Sequence, residues 1–197
     1  MAKREGTLKR ETRETAIEIQ LSIDGRGVTE VDTGIPFFNH MLELLTQHAL
    51  FDLRLKAEGD LDVDPHHTVE DVGISLGEVF RKSLGDKRGI QRYGFGVVPM
   101  DESLAMVSVD ISGRPHLSYE VELPPERIGN FETDLILEFL HAFVNHAAIT
   151  LHVNLLSGKN VHHMIEAIFK ALARALDTAT TVDPRLGEEV PSTKGKL

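Results

Sequence analysis

The sequence predicts an α+β fold made by internal duplication, and three observations carry that prediction. Strand-like alternation and helix-like apolar periodicity occur in mixed order along the chain. The order in the first half returns in the second. An uncommon pattern, two adjacent histidines followed by a glutamate, occurs once in each half: His66, His67 and Glu70, then His162, His163 and Glu166.

Arg13 to Ile23 alternates polar and apolar residues, the period of a strand with one buried face. Asp24-Gly-Arg-Gly27 has turn chemistry, and Val28 to Thr33 is expected to return as a hairpin partner. Pro36 ends that pattern. Phe37, Phe38, Met41, Leu42, Leu44, Leu45 and Leu50 then predict an apolar helix, and Phe51 to Ala57 a further strand. An acidic turn, Glu58 to Asp64, leads into a helix from Pro65 to Leu84. In the second half, strands are predicted over Phe95 to Asp101, Ser103 to Ser112 and Leu117 to Leu123. An apolar helix over Phe131 to Ala147, a strand over Ile149 to Leu155 and an amphipathic helix over Asn160 to Ala179 follow. Val182 to Leu197 is rich in Pro, Gly, Ser and Lys and shows no periodicity.

Overlaying the halves makes the repeat specific. His40 to His48 is a step of 8 residues, as is Glu138 to His146; His48 to His66 is 18 and His146 to His162 is 16, so a turn two residues shorter brings the histidine pairs into register. His40 then lies opposite Glu138. The halves are expected at residues 1–90 and 91–181, followed by a tail at 182–197.

Composition narrows the chemistry. At 41% hydrophobic and 26% charged, the 197 residues have the balance of a soluble globular protein. No apolar run is long enough to cross a membrane, and Met1 to Gly6 lacks the apolar stretch of a secretory signal, so a cytoplasmic location is expected. Zero cysteines exclude disulfides, thiolate nucleophiles and sulfur-ligated metals; any metal must sit on nitrogen and oxygen. A net charge of -10 argues against nucleic acid as a partner, while leaving room for a local basic pocket that takes a small anion.

Asp64 and Asn160 are good helix N-caps, and Pro65 suits a first helical position. Each histidine pair would then lie in a first helical turn, with its glutamate one turn later on a shared face. Adjacent helical residues point about 100° apart, so the two imidazoles of a pair are expected to serve different ions. With His40 and Glu138 the candidate ligands number eight: His40, His66, His67, Glu70, Glu138, His162, His163 and Glu166. Imidazole with carboxylate suits manganese, iron(II) or zinc, and two ions with four protein ligands each would use the whole set. A lone histidine is usually capped, hydrogen-bonded or exposed; the duplicated pattern is what lifts these above that reading. His48 and His146 match across the repeat but suit pocket lining or helix packing better, and His116, His141 and His152 lack a partner of the same type and are read as structural.

Glu14 with Thr15, Thr33 to Leu42, Asp64 to Asp71, Gln91 to Gly94, Met100 to Glu102, Ser112 to Pro115, Ile149 to His152, Gly158 to Asn160, His162 to Glu166 and Pro191 to Gly195 together resemble the imidazoleglycerol-phosphate dehydratase family of histidine biosynthesis. The likeness runs in order over essentially the whole chain, and without a phosphatase-like extension it resembles the monofunctional form. The resemblance implies two halves, each a four-stranded sheet backed by two helices, of the ribosomal protein S5 domain 2-like type. It implies two manganese ions per subunit, other divalent metals being able to serve, on the eight ligands above. It further implies trimers that assemble into a 24-subunit particle, with the metal sites between subunits. Several members carry histidine where this chain has Glu138, and some carry glutamine where it has Leu44. The positions matching substrate contacts are Glu14, Arg92, Arg114, Ser192 and Lys194, with Arg92, Arg114, Lys194 and the Ser192 hydroxyl holding a phosphate; His48, as pocket lining, is counted with them as a substrate contact.

The implied reaction is a hydro-lyase step, loss of water from D-erythro-imidazole glycerol phosphate to give imidazole acetol phosphate. Its difficulty is removing a proton from a carbon that is not next to a carbonyl. Two metal ions would stabilise an imidazolate-like intermediate. Glu14 is the first candidate to move the proton and Glu166 the second. A binuclear metallohydrolase could use the same ligands, though it would need an open position for water. A metal-storage or structural metal protein would need the histidines and not the arginines. The S5-like fold decides nothing by itself.

Overall fold

A computed structural model describes residues 3–197; Met1 and Ala2, which open the N-terminal segment and the first half-repeat, lie outside the described residues. The first half runs β1 (Glu5–Glu11), β2 (Thr15–Ser22), β3 (Thr29–Asp32), α1 (Pro36–Ala49), β4 (Asp52–Gly59) and α2 (His66–Leu84). The second runs β5 (Tyr93–Met100), β6 (Ser103–Asp110), β7 (His116–Glu120), the short β8 (Arg127–Ile128) and β9 (Phe131–Glu132), α3 (Leu135–Ala147), β10 (Thr150–Ser157) and α4 (Val161–Thr180). Two four-stranded sheets result, ordered β1-β2-β4-β3 and β5-β6-β10-β7. Replacing β1, β2, β4 and β3 by β5, β6, β10 and β7 converts one order into the other, so the duplication in sequence is a duplication of topology.

The alternation in β2 and β4 sets the register of the first sheet. Ile17 pairs with Ala57, Ile19 with Leu55 and Leu21 with Leu53, and all six are buried. A one-residue slip would turn that whole set to solvent. In the second sheet Val107 pairs with Val153 and Val109 with Leu151, again buried on one face. Helix α2 lies on β1, β2 and β4, and α4 on β5 and β6; α2 then packs against α3 and α1 against α4. Phe38 of α1 meets Phe139 of α3 edge-on at 5.3 Å between centroids, and Phe139 stacks on Phe169 of α4 at 5.6 Å. Those three rings are fully buried and make one core of the two halves.

Three expectations need correction. β1 was not predicted, because its inward positions are Gly6, Leu8 and Arg10, of which only one is a large apolar residue. Gly6 is there for close approach to α2, and Arg10 donates to the buried Asp71 carboxylate of α2 at 2.9 Å. The expected hairpin of Val28 to Thr33 with the preceding strand does not form. β3 instead pairs parallel to β4, with α1 as the crossover that parallel strands require. Asp52 at the start of β4 fixes the turn, accepting from the backbone N–H groups of Arg26 and Val28 at 2.8 and 3.0 Å. Helix α3 starts at Leu135 and not at Phe131, which is buried in the β8–β9 hairpin.

The sheet-on-helix contact is closest at Gly6 and its repeat partner Gly94. A Cβ on Gly94 would lie 1.9 Å from the Ala175 carbonyl oxygen of α4, and one on Gly6 would lie 2.8 Å from the Ser83 hydroxyl and 3.3 Å from the Val79 carbonyl oxygen of α2. The nearest neighbour is backbone in one case and a rotatable hydroxyl in the other. Gly94→Ala should therefore cost about 3 kcal/mol of folding stability and Gly6→Ala distinctly less. Urea unfolding of both variants checks the order; equal losses would contradict it.

Candidate metal centre

Both histidine pairs lie where helix-start chemistry puts them. The Asn160 side chain accepts from the His163 N–H at 3.3 Å, capping α4. Asp64 accepts from the His66 N–H at 2.7 Å, and Pro65 precedes α2 where it was expected to open it. The rings of each pair diverge: His66 and His67 have centroids 6.1 Å apart with planes at 89°, and His162 and His163 6.3 Å apart at 78°.

From α1, His40 reaches α4 of the other half. Its Nε2 is 3.6 Å from Glu166 Oε2, and His162 Nε2 is 3.4 Å from the same oxygen. These three donors lie within 4.8 Å of one another, and among the described residues they are the only such group of three. Two donors bound to one ion at about 2.1 Å stand about 3.0–3.4 Å apart. Glu166 stands 3.4 and 3.6 Å from the two imidazoles, close to that spacing, so small side-chain shifts would let the three hold a divalent cation on nitrogen and oxygen. Burial pushes the Glu166 carboxyl up, but the Lys170 ammonium, His40 and His162 together hold it below the usual carboxylate range. Lys170 Nζ is 2.6 Å from Glu166 Oε1.

The other five proposed ligands, His66, His67, Glu70, Glu138 and His163, are not gathered into such a group among the described residues. His67 Nδ1 faces Asp60 Oδ2 at 3.0 Å, and His163 Nδ1 faces Glu102 Oε2 at 2.9 Å. Those hydrogen bonds raise both imidazoles above the usual histidine range, and Glu102 is driven far below that of a carboxylate by His163 and the Asn160 N–H. Glu14, in the β1–β2 turn, has Oε1 3.9 Å from His67 Nε2. His48 is half-buried in the last turn of α1, and burial first, then Lys170 and Arg174, lower its pKa.

Two of the proposed phosphate contacts, Arg92 and Arg114, meet at Asp110. Arg92 has a left-handed backbone, φ 71°, and its guanidinium forms a two-point pair with Asp110 at 2.7 and 3.2 Å. Its remaining arm donates to the Pro191 carbonyl at 2.9 Å and so ties down the tail that carries Ser192 and Lys194. Arg114 approaches the same Asp110 at 4.0 Å and is largely exposed. Lys170, Asp60, Glu102 and Asp110 were missed in the sequence. Lys170 had a readable signal, since it stands four residues after Glu166 on one helix face.

Fold and donor cluster define a class: a duplicated α+β protein whose halves together present a histidine–carboxylate group able to hold a metal ion. The family model for imidazoleglycerol-phosphate dehydratase matches residues 33–176. The enzyme of that name from Citrifermentans bemidjiense is 56% identical over 194 residues, covering 98% of this chain and 99% of its own. A crystal structure of the Staphylococcus aureus enzyme superposes with a TM-score of 0.83 at 42% identity, covering 91% of this chain and 99% of that one. That of IGPD from Pyrococcus furiosus, in complex with (S)-C348, gives 0.82 at 36%, with 96% and 100% covered. The chain belongs to the imidazoleglycerol-phosphate dehydratase family, and with it to the enzymes of histidine biosynthesis.

Removing the ammonium beside Glu166 tests the electrostatics of the cluster. Lys170→Met should cost the metal-free protein about 1–3 kcal/mol, because the buried carboxylate loses its partner. A carboxyl held low stabilises the fold above its unfolded pKa, about 4.3, and that contribution disappears as pH falls. Denaturant titrations should show the deficit shrinking at acid pH; a constant deficit would point to lost packing instead.

Proposed function

We propose that the protein removes water from D-erythro-imidazole glycerol phosphate to give imidazole acetol phosphate. Full-length family membership supports this, and the observation that carries it to the residues is the convergence of His40 from one half with His162 and Glu166 from the other. Two divalent cations, manganese first among them, would be held by His40, His66, His67, Glu70, Glu138, His162, His163 and Glu166, and when bound would supply Lewis-acid stabilisation of negative charge on the imidazole ring. The residues of the chain do the rest. Arg92, Arg114, Ser192 and Lys194 hold the substrate phosphate by charge-assisted hydrogen bonds, with His48 lining the pocket. Glu14 takes the proton from carbon, being exposed at a turn and 3.9 Å from His67. Glu166, the second candidate, is already occupied by Lys170 at 2.6 Å, which favours Glu14 for the task.

Residues 1–90 and 91–181 act as the two half-repeats and 182–197 as a tail that contacts substrate. Among the described residues three of the eight ligands converge. The family resemblance implies metal sites between copies, which assemble through trimers into a 24-subunit particle. No helix among the described residues is long and apolar enough to cross a membrane, and a cytoplasmic place suits a biosynthetic enzyme. The net charge of -10 makes nucleic acid a poor partner.

A manganese-dependent dehydration assay on the purified protein decides the reaction. Turnover should depend on added divalent metal, and Glu14→Gln should lower kcat by about 10²–10⁴-fold with metal content unchanged. Phosphate release without dehydration would favour a metallohydrolase. Cation binding should also weaken as pH falls. His67 and His163 bind a metal only as neutral imidazoles, and both are held above the usual histidine range, so protons begin to compete above pH of about 6.5. Manganese titrations across pH 6–8 measure this, and a loss confined to lower pH would contradict it.

A further inference from the structure

His67 and His163 occupy equivalent places in the repeat, and each has its Nδ1 against a carboxylate from outside its own helix. For His67 it is Asp60, just after β4, at 3.0 Å; for His163 it is Glu102, in the β5–β6 turn, at 2.9 Å. The two carboxylates are not repeats of one another. Glu102 immediately precedes β6 as Glu14 precedes β2, whereas Asp60 follows β4. The duplication thus accounts for the histidines, while each half supplies the carboxylate from a different place in its fold. An arrangement reached twice by different routes is a constraint on the imidazole and not a by-product of descent.

An ionised carboxylate only accepts, so it keeps the imidazole proton on Nδ1 and leaves the Nε2 lone pair free. We propose that Asp60 and Glu102 are positioning residues that set His67 and His163 as Nε2 metal donors. This rests on the metal reading given above. Glu102 is itself immobilised: its Oε1 accepts from the Asn160 and Lys159 N–H groups at 2.8 and 3.2 Å, leaving Oε2 for His163. One carboxylate therefore fixes both the entry to α4 and the orientation of the ligand two residues inside it. His40 and His162 form a second class, turned by Nε2 toward Glu166 with no Nδ1 carboxylate among the described residues.

Glu102→Gln separates the two duties of that side chain. The amide oxygen can still accept from the two backbone N–H groups, while its NH₂ meets Nδ1 as a donor and drives the imidazole proton to Nε2, where it blocks the metal. In full-length metal-free protein titrated with Mn²⁺, with free ion followed by electron paramagnetic resonance, Glu102→Gln and Asp60→Asn should each weaken binding about 10–100-fold. The far-UV circular dichroism of the metal-free variants should stay that of the wild type, showing an intact fold. Wild-type affinity in Glu102→Gln alongside weakened binding in His163→Ala overturns the positioning role and leaves the metal reading standing. A lowered thermal midpoint in metal-free Glu102→Gln with affinity intact also overturns it, marking the carboxylate as a helix clamp. Unchanged binding in His163→Ala, or no binding by wild type, overturns the metal reading and this inference with it.

Discussion

A carboxylate kept out of water at the junction of two half-repeats is the constraint on which the site depends. Glu166 is 8% exposed, and an isolated buried carboxylate is too costly to persist. Three groups answer it: Lys170 on the same helix, His162 one turn earlier, and His40 from the opposite half. The last reaches Glu166 only because α1 packs against α4, a contact made within the core that Phe38, Phe139 and Phe169 close. Apolar burial of one half against the other thus places a nitrogen donor beside a carboxylate donor.

The halves share topology and differ in chemistry. Gly6 and Gly94 make the same close approach to α2 and α4, so the sheet-on-helix geometry is common to both. The donors at the equivalent helix positions are not alike. His40 meets Glu166 and His162, whereas Glu138 stands opposite it in the repeat as a carboxylate and joins no such cluster among the described residues. A second asymmetry lies in the basic residues. Arg92 takes a backbone conformation unusual for any residue but glycine, and its Asp110 and Pro191 partners tie the tail to the second half, while Arg88 and Gly89 bond the same tail to the end of the first.

Most of the secondary structure was legible because burial and element period coincide. α4 and β2 announce themselves since their inward positions are apolar at the spacing of helix and strand. β1 was illegible for the opposite reason: its inward positions are a glycine that must be small and an arginine that pairs with Asp71, and neither carries a hydrophobic signal. The partner of β3 was misread because a turn motif says that the chain reverses, and says nothing of which strand it then meets.

Of the site, the histidine–glutamate repeat, the Asn160 cap and the candidate ligands could be read from residue type and spacing, because those are properties of one helix at a time; α2 begins one residue later than Asp64 and Pro65 suggested. That the two imidazoles of a pair diverge also follows from helical geometry, and the structure shows it at 89° and 78°. Which donors meet was a tertiary matter. Asp60, Glu102 and Asp110 are carboxylates among 31 acidic residues in the chain. What distinguishes them is only that a loop, in the first two cases, and the end of β6, in the third, bring them to the Nδ1 of His67, the Nδ1 of His163 and the guanidinium of Arg92. Sequence determined the duplicated frame and the kinds of ligand it carries. Only the packing of one half on the other decided which of them share a site, because that distance is set by core side chains far from the donors.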